Sequence, residues 1–195
     1  MALDTLPAAA ESWLRIAETP PADARTDAIF AATQAKLGYI RGQQRALAHR
    51  PDILAAVDAL GNAVVRPPSG ELSPRERELM ALVVSAENRC EACVFAHEAA
   101  LRGMGGDAEW AAAVAVNYRR AHLSVRERAL ADFAIKVTRA PAEIEPSDHQ
   151  ELRAAGVPDI GILEATAVAC YFNFTNRLNS SLGIRANREA YQAHR

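Results

Sequence analysis

Leu72-Ser73-Pro74-Arg75-Glu76-Arg77-Glu78-Leu79 returns later in the chain as Leu123-Ser124-Val125-Arg126-Glu127-Arg128-Ala129-Leu130, identical at six of eight positions. Each copy carries a complete helix start. The serine hydroxyl can accept from the amide three residues on, and the Glu76 or Glu127 carboxylate can reach back to the serine amide. In the first copy Pro74 fills the first helical position, where no amide is needed. Outward from these two points, apolar residues recur at three- and four-residue spacing and no stretch alternates in the strand manner. The expected fold class is all-α, a bundle of helix hairpins with an internal pseudo-repeat.

The repeat also separates its two halves chemically. Carrying the register forward sets Ala129 against Glu78, Pro141 against Cys90, Ile144 against Cys93 and Asp148 against His97. The second copy keeps the helix start and has lost the reactive groups. One domain over 1–195 is expected, with a redox-active half at about 36–106, a degenerate half at about 107–183 and short terminal extensions. Helices are expected over Ala8–Glu18 (stopped by Pro20-Pro21), Asp23–Leu37 (stopped by Gly38) and Pro51 to about Val65. Pro67-Pro68-Ser69-Gly70 reads as a loop. The helix opened by Ser73 should end near Ser85–Asn88, and the next should run from near Cys90 to Gly103 or Gly105-Gly106. Further helices fit Asp107–Tyr118, Ser124–Thr138, Pro146–Ala155 and Pro158–Leu182, then a short tail helix.

Composition narrows the function classes. The 195 residues are half hydrophobic and carry a net charge of -2, which gives no electrostatic reason to expect nucleic acid or an anionic membrane as a partner. No apolar run approaches the roughly 18 residues that span a bilayer, and the N-terminus shows neither a basic nor an apolar leader region. A cytoplasmic protein is expected. Three cysteines, two of them close together, do not make a disulfide scaffold; in a reducing compartment the pair points to redox chemistry or metal binding.

That pair lies in Cys90-Glu91-Ala92-Cys93-Val94-Phe95-Ala96-His97. Residues three apart on a helical turn face the same way, within reach of a disulfide after small adjustment. First-turn amides carry partial positive charge that favours a thiolate. A free cysteine, with pKa near ~8.5, is otherwise only slightly ionised at neutral pH, and it is the thiolate that attacks peroxides and disulfides. His97, four residues past Cys93, shares its face and can carry protons for it. Along one continuous helix Glu78 would lie about 18 Å from Cys90. A chain reversal near Asn88-Arg89 instead forms an antiparallel hairpin in which Glu78 falls opposite His97, giving a Glu-His-Cys relay.

Competing readings stay open at this point. Cys90, Cys93 and His97 could ligate zinc, with Cys170, a remote histidine or a carboxylate as the fourth ligand; the pair could also be inert core cysteines. Attached haem fails because Val94, not histidine, follows Cys93. Cys170, within an apolar run, reads as a buried core thiol. Gly103-Met104-Gly105-Gly106 follows a helix and reads as a helix stop rather than a phosphate loop, and Arg119-Arg120-Ala121-His122 as a solvated helix end. His49, His149 and His194 have no partner at ligand spacing.

The stretch from Leu79 to His97, Leu-Met-Ala-Leu-Val-Val-Ser-Ala-Glu-Asn-Arg-Cys-Glu-Ala-Cys-Val-Phe-Ala-His, resembles the signature of the AhpD-like alkylhydroperoxidase family of the carboxymuconolactone decarboxylase superfamily, in its "peroxidase-related" branch. The resemblance runs roughly from Lys36 to Gly183. It takes in Ala48-His49-Arg50-Pro51, the Ser73 helix start, Leu152-Arg153-Ala154-Ala155-Gly156 and Asn173-Phe174-Thr175-Asn176-Arg177. It implies helical hairpins assembled as a homo-oligomer (dimer, trimer or hexamer) with the site near a subunit interface. It further implies that Glu78 and His97 assist proton transfer, that Cys93 attacks a hydroperoxide substrate and that Cys90 resolves the product. The Cys90–Cys93 redox-active disulfide then serves in place of any cofactor, reduced by a thioredoxin-like or lipoyl dithiol. Asn176 and Arg177 are expected to support helix packing or the site, with packing the favoured reading. Hydroperoxidase members carry a histidine immediately before the second cysteine; here Ala92 stands there, which shortens the relay by one group. The decarboxylase branch generally lacks the cysteine pair, so lactone decarboxylation is disfavoured.

Overall fold

A computed structural model describes residues 12–14 and 19–195. Among these residues there are ten α-helices and no strand: α1 (Ala24–Leu37), α2 (Gly42–Leu47), α3 (Pro51–Val65), α4 (Pro74–Glu87), α5 (Glu91–Gly103), α6 (Ala108–Asn117), α7 (Val125–Arg139), α8 (Pro146–Ala154), α9 (Asp159–Ser181) and α10 (Arg188–Gln192). Several begin and end where local chemistry satisfies the orphan backbone groups. Asp23 caps α1 by accepting from the Arg25 and Thr26 amides, and Gly38 closes it at φ 79°, the left-handed region that glycine adopts without strain.

The two matching segments form the capping boxes their sequences describe. The Ser73 amide donates to Glu76 at 2.7 Å while the Glu76 amide donates to Ser73 Oγ at 3.2 Å. Ser124 and Glu127 repeat the pattern at 2.9 and 3.2 Å. The boxes then cross-link: Arg75 donates to Glu127 at 3.0 Å, and Arg126, its counterpart in the second copy, donates to Glu76 at 2.6 Å. The same sequence element thus starts a helix and pins that helix to the start of its counterpart.

Helix α4 is the axle of the bundle. Leu79, Met80, Ala81, Leu82, Val83 and Val84 are all buried, so the helix is apolar on every side, as a helix enclosed by others must be. It packs against α5, α7 and α9, and its side chains merge with Leu101, Leu130, Phe133, Val168 and Phe172 into one core. A smaller cluster of Leu47, Ala48, Leu54 and Val57 joins α2 to α3.

The structure departs from the sequence reading in four places. Helix α2 was not anticipated, because its polar face (Gln43, Gln44, Arg45) masks the apolar period. A short 3₁₀ turn over Pro141–Glu143 replaces loop, and the helix end expected at Tyr118 and Arg119-Arg120 is a 3₁₀ turn over Tyr118–Arg120. The helix expected over Ala8–Glu18 lies mostly outside the described residues; Ser12–Leu14 within it form a bend, the Trp13 amide donating to the Leu182 carbonyl at 2.9 Å. Cys170 is exposed, not a core thiol. Ile162, Ala165, Val168, Ala169 and Phe172 define the buried face of α9, and the helical period turns Cys170 outward from it.

No single helix among the described residues is long and apolar enough to cross a membrane.

Candidate active site

The chain reverses between α4 and α5 over Asn88 and Arg89, and Arg89 takes a left-handed φ of 53°. The Cys90 amide donates to the Ser85 carbonyl at 2.9 Å, which places Cys90 at the N-cap of α5 and Cys93 within the first turn. Their Cα atoms are 5.4 Å apart and their sulfurs stand at disulfide-bonding distance. Both residues are buried, at 2% and 6% exposure.

The reversal makes the antiparallel hairpin expected of a turn at Asn88-Arg89. Glu78 Oε2 lies 2.7 Å from His97 Nδ1 across the α4–α5 interface. Burial alone pushes the Glu78 carboxyl up, but the adjacent His97, which also donates a hydrogen bond, and the more distant Arg66 and Arg41 outweigh it, leaving the group below its ordinary value. Glu78 is therefore ionised at neutral pH, and a carboxylate only accepts. The hydrogen between the two groups accordingly sits on Nδ1, and Nε2 is the ring nitrogen that Glu78 does not engage. The edge-on Phe172 ring, 4.6 Å away centre to centre, holds the imidazole in place.

Helix α9 supplies residues that the sequence reading did not assign to the site. Asn173, Asn176 and Asn179 recur every third residue along α9. Asn176 donates to Ser85 Oγ and accepts from Asn88, which also donates to Asn173, each at 3.0 Å. These bonds clamp the end of α4 and the turn that leads to Cys90. Asn179, also buried, donates to Cys93 Sγ at 3.2 Å, and its own Oδ1 has no partner among the described residues. The signal was legible: asparagine competes with helical hydrogen bonding, so a row of three on a core-facing helix marks polar work inside the bundle.

A cavity of about 1070 Å³ opens beside this cluster, and Glu78, Ala92, Cys93, His97, Phe172 and Asn179 contribute to its wall. Cys93 lines it and Cys90 does not. Ala92 also faces it, so the absent histidine leaves space in the wall rather than a filled core position. The structure thus brings Glu78, Cys90, Cys93 and His97 together. It leaves Cys170 out, on the outer face of α9, so that residue is not placed to complete a zinc set. Among the described residues no three histidine, cysteine or carboxylate groups are arranged to hold a metal ion.

Comparison with known proteins accords with this geometry. The carboxymuconolactone decarboxylase family profile matches residues 51–134, a span that includes Glu78 and the Cys90–His97 segment. An uncharacterized peroxidase-related protein from Silicibacter sp. TM1040 is 37% identical, with a TM-score of 0.89 over 95% of this chain and 96% of its own. A second uncharacterized peroxidase-related protein, from Ralstonia eutropha JMP134 and described as an alkylhydroperoxidase AhpD core, is 33% identical, with a TM-score of 0.88 over 95% and 97%. The debrominase Bmp8 shares the fold alone, at 16% identity and a TM-score of 0.74 over 89% and 93%. No curated protein sequence matches the chain. Because helix order, fold and more than a third of the sequence agree over nearly the full length of the first of these relatives, the chain belongs to the AhpD-like carboxymuconolactone decarboxylase superfamily.

Proposed function

We propose that the protein reduces hydroperoxides with the Cys90–Cys93 pair, using Glu78 and His97 to move the proton. The observation that supports this most is the asymmetry of the pair: Cys93 lines the cavity beside His97, while Cys90 sits behind it, within bonding reach. Cys93 gives its proton to His97 Nε2, and its thiolate attacks the terminal peroxide oxygen. The O–O bond breaks, the sulfur becomes a sulfenic acid, and the departing alkoxide takes the proton from His97. The Cys90 thiol then displaces water from the sulfenic sulfur and the disulfide forms. A dithiol of the thioredoxin-like or lipoyl class reduces that disulfide. The net reaction converts one hydroperoxide and one dithiol into alcohol, water and disulfide. Asn179 supports the reading, since its Nδ2 donates to the attacking sulfur and its unpartnered Oδ1 can accept the hydroperoxide hydrogen.

The test is peroxide consumption with a dithiol donor, which should vanish in Cys93→Ser. In Cys90→Ser one equivalent should be consumed before turnover stalls at the sulfenic acid. Unchanged consumption by Cys93→Ser would remove the proposed nucleophile. A second reading draws on Ala92: with one imidazole fewer than hydroperoxidase members carry, the pair would serve thiol–disulfide exchange or redox sensing. Reversible Cys90–Cys93 oxidation without peroxide turnover would select it.

A further inference from the structure

The cavity wall carries three cations that make no ion pair among the described residues. Lys36 closes the last turn of α1, Arg41 immediately precedes α2 and Arg66 immediately follows α3; all three side chains line the chamber that holds Cys93. Among the described residues none of the three has a carboxylate within salt-bridge distance. Arg77, which also lines the chamber, behaves differently: it is bound to Glu164 at 2.6 Å and to the Val64 carbonyl at 2.9 Å. The chamber's own carboxylates are spoken for or peripheral. Glu78 is held by His97, Asp58 accepts from Asn62 at 2.8 Å, and Glu71 is exposed at the rim. Arg66 has only the neutral Asn62 amide oxygen for its guanidinium, at 2.8 and 3.1 Å.

These cations work against one another. Burial, then Arg66, pulls the Arg41 guanidinium below its ordinary value. Burial, then Arg66 and Arg41, does the same to Lys36. A chain of net charge -2 that gathers three mutually repelling cations on the wall of one partly apolar chamber holds a site whose missing component is an anion. The rest of the wall suits an organic body: Leu54, Val57, Val65, Phe172 and Ile184 line the same chamber as the cations and Cys93.

We infer that the chamber takes an organic hydroperoxide bearing a carboxylate, the carboxylate held by Arg41 with Lys36 and Arg66 and the peroxide directed to Cys93. This rests on the peroxidase reading for the reaction, but the anion site stands on its own geometry. The chemistry is unchanged. The O–O bond accepts two electrons from the cysteine pair, the alcohol keeps its carboxylate, and the external dithiol restores the thiols. Arg41 and its neighbours bind and orient the substrate without joining the electron transfer.

The experiment compares para-carboxy cumene hydroperoxide with its methyl ester and with cumene hydroperoxide, using dithiothreitol as donor. Hydrogen bonds to charged groups make about a ten-fold preference in kcat/KM for the carboxylate the expected result, with Arg41→Gln collapsing the ratio between acid and ester. Arg66→Gln, on an exposed side chain, gives the same reading if Arg41→Gln fails to fold. Equal consumption of acid and ester by the parent protein overturns the anion site and leaves the peroxidase reading intact. If no peroxide is consumed, the reaction is wrong, and calorimetry with the corresponding para-carboxy cumyl alcohol against its methyl ester decides the site. Binding of the acid alone, weakened in Arg41→Gln, upholds it; no preference between acid and ester removes it.

Discussion

Single residues in this site act through the state in which they hold their neighbours. Asn179 is placed to stabilise negative charge on Cys93, because its amide donates to that sulfur in a buried setting. Asn179→Leu keeps the branched outline of the side chain and removes the donor. Alkylation of the reduced protein at Cys93 by iodoacetamide at neutral pH should slow about ten-fold, and an unchanged rate would mean that the contact is packing only. Glu78 makes a different prediction. Its carboxyl is depressed in the folded chain, so its contribution to stability is present above the unfolded carboxylate range and is lost as pH falls through the folded value. The urea midpoint of the parent should therefore decline on going from neutral to strongly acidic pH, and more steeply than that of Glu78→Gln. Parallel declines would locate the acid sensitivity elsewhere.

At the scale of elements, the hairpin α4–α5 depends on two sets of bonds that share residues. Ser73 contributes only the cap of α4, and Ser73→Ala should cost about 1 kcal/mol. Glu76 closes the same cap and also receives Arg126 from the start of α7, with its side chain largely buried. Glu76→Ala should therefore cost on the order of 2 kcal/mol, since a partly buried charged bond is lost along with the capping contact. Urea unfolding of the two variants decides the matter: equal losses would show that the crossed ion pair adds nothing to the cap. The same elements explain why a glutamate, two cysteines and a histidine could be grouped from sequence. Two of the four lie on one face of α5 by helical period, and a single reversal brings Glu78 opposite.

For the molecule as a whole, the outer face of α9 bears on assembly. Ile160, Leu163 and Phe174 are exposed at 60%, 65% and 46%, and with Ala167 and Cys170 they follow the three- and four-residue spacing of a helix–helix seam. We propose that this row joins copies of the chain into the homo-oligomer that the family resemblance implies. Light scattering should show an oligomer at micromolar concentration and a smaller species for Leu163→Glu; a monomeric parent would count against the seam. An apolar residue on a helix does not say whether it meets its own core or another chain, and this is why Cys170 reads as buried from sequence and is exposed in the fold.

Sequence alone determined most of the helices and the grouping of Glu78, Cys90, Cys93 and His97, because capping boxes, helical period and Cys-x-x-Cys spacing are local matters that a few neighbouring residues decide. It also determined that Glu78 and His97 meet, since one turn at Asn88-Arg89 leaves a single register for the hairpin. Tertiary structure alone decided that Asn179 touches Cys93, that Cys93 rather than Cys90 lines the chamber, and that Lys36, Arg41 and Arg66 share its wall. Those groups come from helices far apart in the chain, and the packing of α1, α2, α3 and α9 around α4 and α5 sets their distances; no local period encodes it.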